Sequence, residues 1–152
     1  MDAVARSIML GVVVLSGKHI SEMAVSHPPD LKPEDWARFI ELKPFERAWR
    51  KLGLDEKDRD ALHLGIMLNP KAPVVSGTGR LRKMRFSSNR WNVGKRKGAR
   101  VCYAYYPEYS VVLLILIYLK GRKEDLTAAE KKQIGGFLEG FEASLKKGVI
   151  NV

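Results

Sequence analysis

The hydrophobic pattern changes period several times along the chain, and each change marks an element. From Arg38 to Lys43 the positions alternate, Phe39, Glu41 and Lys43 against Ile40 and Leu42, which predicts a short strand. Pro44 follows in the first turn of a helix, where its missing N–H costs nothing, and the helix runs through Phe45 to Leu52 and closes at Gly53. Asp55 is an N-cap for a second helix reaching about Leu68, with Leu62, Ile66 and Leu68 inward. The acids Asp55, Glu56, Asp58 and Asp60 read as its solvated face, His63 as a boundary residue, and Asn69-Pro70 as its stop. Two helices joined at a glycine make a hairpin.

Leu81 to Phe86 reads as a second strand that sets Lys83 and Arg85 on one face and Met84 and Phe86 on the other. Ser87 to Gly98 is a polar, glycine-containing loop, Arg100 to Tyr106 a third strand, and Pro107 to Ser110 a tight turn. Val111 to Leu119 is unbroken apolar or aromatic sequence, the pattern of a central strand covered on both sides. Thr127 and Glu130 form a capping box that opens a C-terminal helix, whose Ile134, Phe137, Leu138, Phe141 and Leu145 make one apolar stripe. Gly135, Gly136 and Gly140 weaken that helix, and close approach to a neighbouring element would account for them. The expected fold is α+β: a small antiparallel-type sheet with an N-terminal helical hairpin and a C-terminal helix, in the order β-α-α-β-β-β-α.

The predicted domain covers 36–148. Residues 1–35 read as an extension, peripheral or arising from a misplaced start with Met23 as the alternative, set off by Pro28-Pro29. The apolar run Ile8 to Leu15 is too short to span a bilayer, which takes about 20 residues, and its flank is a poor signal-peptide start. A cytoplasmic protein without membrane contact is the expectation. The single cysteine, Cys102, excludes an intrachain disulfide and lies in an apolar run, as a small core residue would.

Charge changes the picture most. The chain of 152 residues has a formal net charge of +10. Ten Lys or Arg and no acid fall between Lys71 and Arg100, and the other positions balance at 17 basic and 17 acidic. A chain neutral outside one stretch has a surface facing a polyanion, with RNA or DNA phosphate the default partner. The alternative is solubilising charge on an open sheet, although surface charge ordinarily mixes both signs. His19, His27 and His63 are scattered, and neither ligand spacing nor a phosphate-cradling GxxxxGK[ST] occurs. Neither a metal site nor a cofactor is expected.

What remains is a set of cations on strands. Lys83 and Arg85 project together and can hold a phosphate between them, and Arg100 can add a third charge from the adjoining strand. Lys120, Arg122 and Lys123 follow the buried strand at its polar exit. Arg80, Arg82, Arg90, Lys95, Arg96 and Lys97 complete the expected nucleic-acid-binding surface. Cleavage of RNA by its own 2′-hydroxyl needs a base, a stabiliser of the phosphorane and an acid. A lysine among other cations is less costly to deprotonate, and arginine grips non-bridging oxygens through its planar fork. Metal-free RNA cleavage is within reach of these side chains.

Three stretches carry a family likeness: Leu81-Arg-Lys-Met-Arg-Phe86 before a basic glycine loop; Gly98-Ala-Arg-Val-Cys-Tyr-Ala-Tyr-Tyr106; and Ile117-Tyr-Leu-Lys-Gly-Arg-Lys-Glu-Asp-Leu-Thr-Ala-Ala-Glu130. From Arg38 to Leu145 the chain resembles the RelE/HigB-like toxins of bacterial toxin–antitoxin pairs. The resemblance implies a small α+β toxin that enters the ribosomal A site, cuts mRNA and is held inactive by a cognate antitoxin, by family habit a helix-turn-helix protein. By position, Lys83 and Arg85 match the cations acting as base or phosphate clamp, and Arg100 the arginine that stabilises the transition state. Lys120 or Arg122 falls where the family places a proton donor. Some members stack a tyrosine on the mRNA near the position of Leu126, which cannot do so; Tyr118 and Trp91 are the substitutes on offer. Two other readings stand beside this one: a same-fold, ParE-like toxin that poisons DNA gyrase, and a non-enzymatic RNA- or ribosome-binding protein.

Overall fold

The computed structural model describes residues 13–15, 37–94, 97–121 and 126–149. They form a mixed sheet with helices on both faces. The strands are β1 (Val13–Leu15), β2 (Arg38–Glu41), β3 (Arg82–Phe86), β4 (Ala99–Tyr106) and β5 (Val111–Leu119). The helices are α1 (Lys43–Lys51), α2 (Glu56–Leu68) and α3 (Ala128–Lys147). The order across the sheet is β1-β2-β5-β4-β3, so the all-apolar β5 is central. Val13–Leu15, within the segment read as an extension, adds to the β2 edge in antiparallel register.

The sheet is not antiparallel throughout. β2 runs parallel to β5, with Phe39 opposite Val112 and Glu41 opposite Leu114. Two strands that pair so far apart in sequence are joined by a crossover, here the helical hairpin and the β3–β4 pair, instead of by a tight turn. Phe39, Ile40, Glu41 and Leu42 are all buried, so β2 is covered on both faces and its apparent alternation does not separate core from solvent.

The α1–α2 hairpin packs on one face through Phe45, Trp49, Leu62 and Ile66, against Phe39, Val101, Val112 and Leu114. Helix α3 packs on the other through Leu138, Phe141 and Leu145, against Ile40, Ala104, Tyr106 and Leu113. Local chemistry sets the helix ends where the sequence put them. Pro44 lies in the first turn of α1, Gly53 takes φ +69 after it, and Asp55 caps α2 by accepting the Asp58 N–H at 3.0 Å. Thr127 caps α3 by accepting the Glu130 N–H at 3.1 Å, and the Glu130 carboxylate accepts the Thr127 N–H at 3.0 Å. Of the three glycines in α3, Gly135 has the expected cause: a Cβ there would lie 3.2 Å from the Thr78 carbonyl oxygen. Gly136 and Gly140 face open space. Among the described residues no helix is long and apolar enough to cross a membrane.

Several polar residues are deeper than the periodicity indicated. On α2 Leu62 and Ile66 are inward as expected, but Leu68 is 56% exposed and Asp58, Asp60 and His63 are buried in its stead. His63 stacks on Phe39 with ring centroids 4.0 Å apart. Glu41 is fully buried; Arg59 of α2 reaches it with Nε 2.7 Å from Oε2, donates from NH2 to Oε1 at 3.3 Å, and lies over the Trp49 ring. Burial pushes the Glu41 carboxyl up from its ordinary 4.5, and the Arg59 charge only partly opposes that.

Removing one member of a buried pair strands the other in low dielectric, at about 3–5 kcal/mol. Arg59→Met is therefore expected to destabilise the fold by roughly 3 kcal/mol at pH 7 in urea melts. Because Glu41 has a folded-state pKa above its unfolded one, its ionisation weakens the fold as pH rises from about 4.5 through the folded value. The Arg59→Met deficit is thus expected to shrink toward acid pH, and a deficit unchanged between pH 7 and 4.5 would contradict the pairing.

Candidate phosphate-binding cleft

Strand register decides which cations meet. Lys83 lies opposite Cys102, Arg85 opposite Arg100, and Arg100 opposite Tyr118 on β5. Directly paired residues share a face, so Lys83, Arg85, Arg100 and Tyr118 occupy two adjacent rungs on the α3 side of the sheet. The other face of β3 is fixed by packing: Phe86 is buried, 5.8 Å from the Trp49 ring, and Met84 packs against the same cluster. At the hairpin end a Cβ on Gly98 would lie 2.5 Å from the Phe86 carbonyl oxygen, so the return into β4 requires glycine.

Lys83, Arg85 and Arg100 line one cleft of about 860 Å³ at the β3 edge. Its opposite wall is the segment after α2, with Asn69, Pro73, Val74 and Ser76, and the first turn of α3 adds Lys131. Among the described residues no carboxylate lines it. The wall is tied down by two side chains on the other face of the sheet and by the backbone of β3. Arg82 donates to the Ala72 carbonyl at 2.6 Å, Tyr103 donates to the Pro70 carbonyl at 2.8 Å, and the Lys83 N–H donates to the Pro73 carbonyl at 3.2 Å. The Thr78 hydroxyl donates to Val75 O at 2.6 Å and accepts the Leu81 N–H at 3.2 Å, closing the turn that α3 docks against.

Among the described residues, the other expected site residues do not line this cleft. Arg80 pairs with Glu142 of α3 at 3.0 Å, donates to Tyr105 O at 3.3 Å and sits 4.5 Å over the Tyr106 ring. Arg90 pairs with Asp58 at 2.6 Å and donates to Gly53 O at 2.8 Å, stapling the β3–β4 loop to the helical hairpin. Arg82 holds the loop wall. Lys97 is exposed on the β3–β4 loop, and Lys120 is exposed just past β5, its N–H donating to Gly98 O at 3.0 Å. Lys95, Arg96, Arg122 and Lys123 lie outside the described residues. The window without acids is therefore partly neutralised by Asp58 and Glu142 from distant sequence. Of the aromatic substitutes for Leu126, Tyr118 lies in the Arg85–Arg100 rung, whereas Trp91 packs with the cluster on the opposite face.

Lys131, Asn69 and Ser76 were not anticipated. The signal for Lys131 was Gly135 one turn later, which fixes the approach of α3 to the Thr78 turn, but nothing in sequence said that this turn bounds the cleft. Cys102 lies under the cations, and burial pushes its thiol to about 11 against the pull of the Lys83 charge and a hydrogen bond with Tyr118. It is no nucleophile at neutral pH. Among the described residues no group of three His, Cys, Asp or Glu side chains gathers as a metal cluster. No family model matches the chain.

Burial pushes the Asp58 carboxyl up, but hydrogen bonds from Ser88 Oγ, the Asp55 N–H and Arg90 outweigh it and hold the carboxyl below its ordinary 3.8. A depressed folded-state pKa contributes stability above the unfolded value, and that contribution is lost as pH falls through the folded one. Arg90→Ala is expected to lower Tm at pH 7, with the deficit fading below about pH 3.8. On heparin, Arg85→Ala is expected to elute at lower salt than the wild type and Arg90→Ala unchanged; equal losses would place Arg90 on the polyanion surface.

Proposed function

We propose that the chain is a RelE/HigB-like toxin that cuts mRNA on the ribosome by metal-independent phosphodiester cleavage. The observation that carries the reading is the like-charge rung Arg85–Arg100, with Lys83 beside it, in a cleft lined by no carboxylate among the described residues. Like charges directly opposite on a sheet cost stability. A concave site that gathers such charges suits an anionic ligand, and the order β-α-α-β-β-β-α of the domain suits the same family.

In this reading Lys83 takes the proton of the 2′-hydroxyl, and the 2′-oxygen attacks the adjacent phosphorus. Arg85 and Arg100 hold the non-bridging oxygens as charge builds in the phosphorane. The P–O5′ bond breaks, leaving a 2′,3′-cyclic phosphate, and the family resemblance assigns the proton for the departing 5′-oxygen to Lys120 or Arg122. The implied partner is a helix-turn-helix antitoxin that covers the basic cleft, and the implied compartment is the cytoplasm, where ribosomes are.

Overexpression is expected to halt growth and translation, with 5′ ends of cleaved mRNA visible by primer extension. Lys83→Ala combined with Arg85→Ala relieves both, cutting single-turnover cleavage by at least about 100-fold, in the range removed with one transition-state stabiliser. Full toxicity in the double variant sinks the assignment. Growth arrest with DNA damage and intact mRNA points to gyrase poisoning, and RNA binding with neither toxicity nor cleavage points to a non-enzymatic binder.

A further inference from the structure

Two cations in the cleft are uncommitted. Among the described residues neither Arg85 nor Lys131 has a side-chain hydrogen bond or ion pair, in contrast to Arg80, Arg82 and Arg90. They belong to different elements, Arg85 to the exposed edge strand and Lys131 to the first turn of α3. The Lys131 stem is held: it runs past Gly77, where an added Cβ would meet Lys131 Cδ at 3.6 Å. The neighbouring Glu130 carboxylate is turned to the helix start, where it accepts the Thr127 N–H. The segment after α2 that lines the cleft with them is apolar at Pro73 and Val74 and polar at Asn69 and Ser76.

A single phosphate is already served by Lys83, Arg85 and Arg100. The geometry points to Lys131 as a second phosphate subsite, binding the phosphate next to the one held on the sheet, with the intervening nucleotide against the Pro73–Val74 wall. This rests on the ribonuclease reading for its ligand, and it makes that ligand a single strand. A nucleotide seated against Pro73 and Val74 must leave its helical stack. Lys131 acts on affinity and on the position of the strand; the reacting atoms lie at the sheet.

The test is the salt dependence of binding to a fluorescent single-stranded RNA whose 2′-hydroxyls are methylated, so that it cannot be cut. Each neutralised phosphate on a single strand contributes about 0.7 to the slope of log K against log salt. Lys131→Gln, which keeps most of the stem, is expected to weaken binding roughly 5-fold near 0.1 M salt and to lower the slope by about 0.7. Lys131→Arg is expected to retain the slope, and Lys146→Gln, at the far end of α3, to leave both quantities as in the wild type. An unchanged slope in Lys131→Gln, a loss of equal size in Lys146→Gln, or no binding of this RNA by the wild type overturns the subsite. If the wild type binds but cuts no RNA on ribosomes, the nuclease reading falls while a reduced slope in Lys131→Gln still upholds the subsite.

Discussion

Arg85 stands opposite Arg100 because Phe86 and Met84 are held against the helical hairpin on the other side of β3. Strand side chains alternate, so a slip of β3 by one residue would turn Lys83 and Arg85 into that core and expose the aromatic ring. The penalty for such a slip, a desolvated charge and an emptied Phe86 site beside Trp49, far exceeds the repulsion between two half-exposed guanidinium groups. The hydrophobic face thus enforces an electrostatic arrangement that the cations alone would not adopt. Everything concerning the cleft follows from that asymmetry.

The rest of the basic window is used differently. Arg80 and Arg90 have acidic partners on α3 and α2, and Arg82 is consumed by a carbonyl of the cleft wall. They fasten the sheet edge to its surroundings, and by doing so they hold the wall facing Arg85 in place. The charge that looks uniform in sequence divides into an inner set that builds the cleft and an outer set that faces into it. Local conflict with stability is confined to the second set, as expected where a fold carries a binding site.

Much of this was legible from pattern. Pro44, Gly53, Asp55 and the Thr127–Glu130 box fix helix ends through contacts within four residues, and Val111–Leu119 announces its central place by lacking any polar position. The cofacial Lys83 and Arg85 follow from strand alternation alone. What pattern did not show were facts about partners distant in sequence. The parallel β2–β5 pairing is one. The ion pair that lets Glu41 sit in a doubly covered strand is another, and so is the burial of Asp58 and Asp60, which depended on which side of α2 met the sheet. Lys131 was missed for the same reason: its neighbours in the cleft are some fifty residues earlier in the chain.

The one thiol of the protein lies beneath the cationic rungs, flanked by Lys83 and Tyr118 and closed to solvent. Alkylating reagents can reach it only when the side chains packed over it on the α3 face of the sheet move apart or the chain unfolds. The rate at which Cys102 is labelled therefore reports how often the cleft floor opens, and it does so in the native chain with no introduced probe. Whatever clamps the cleft, an anion or a protein lid, should register as a slower reaction at this single sulfur.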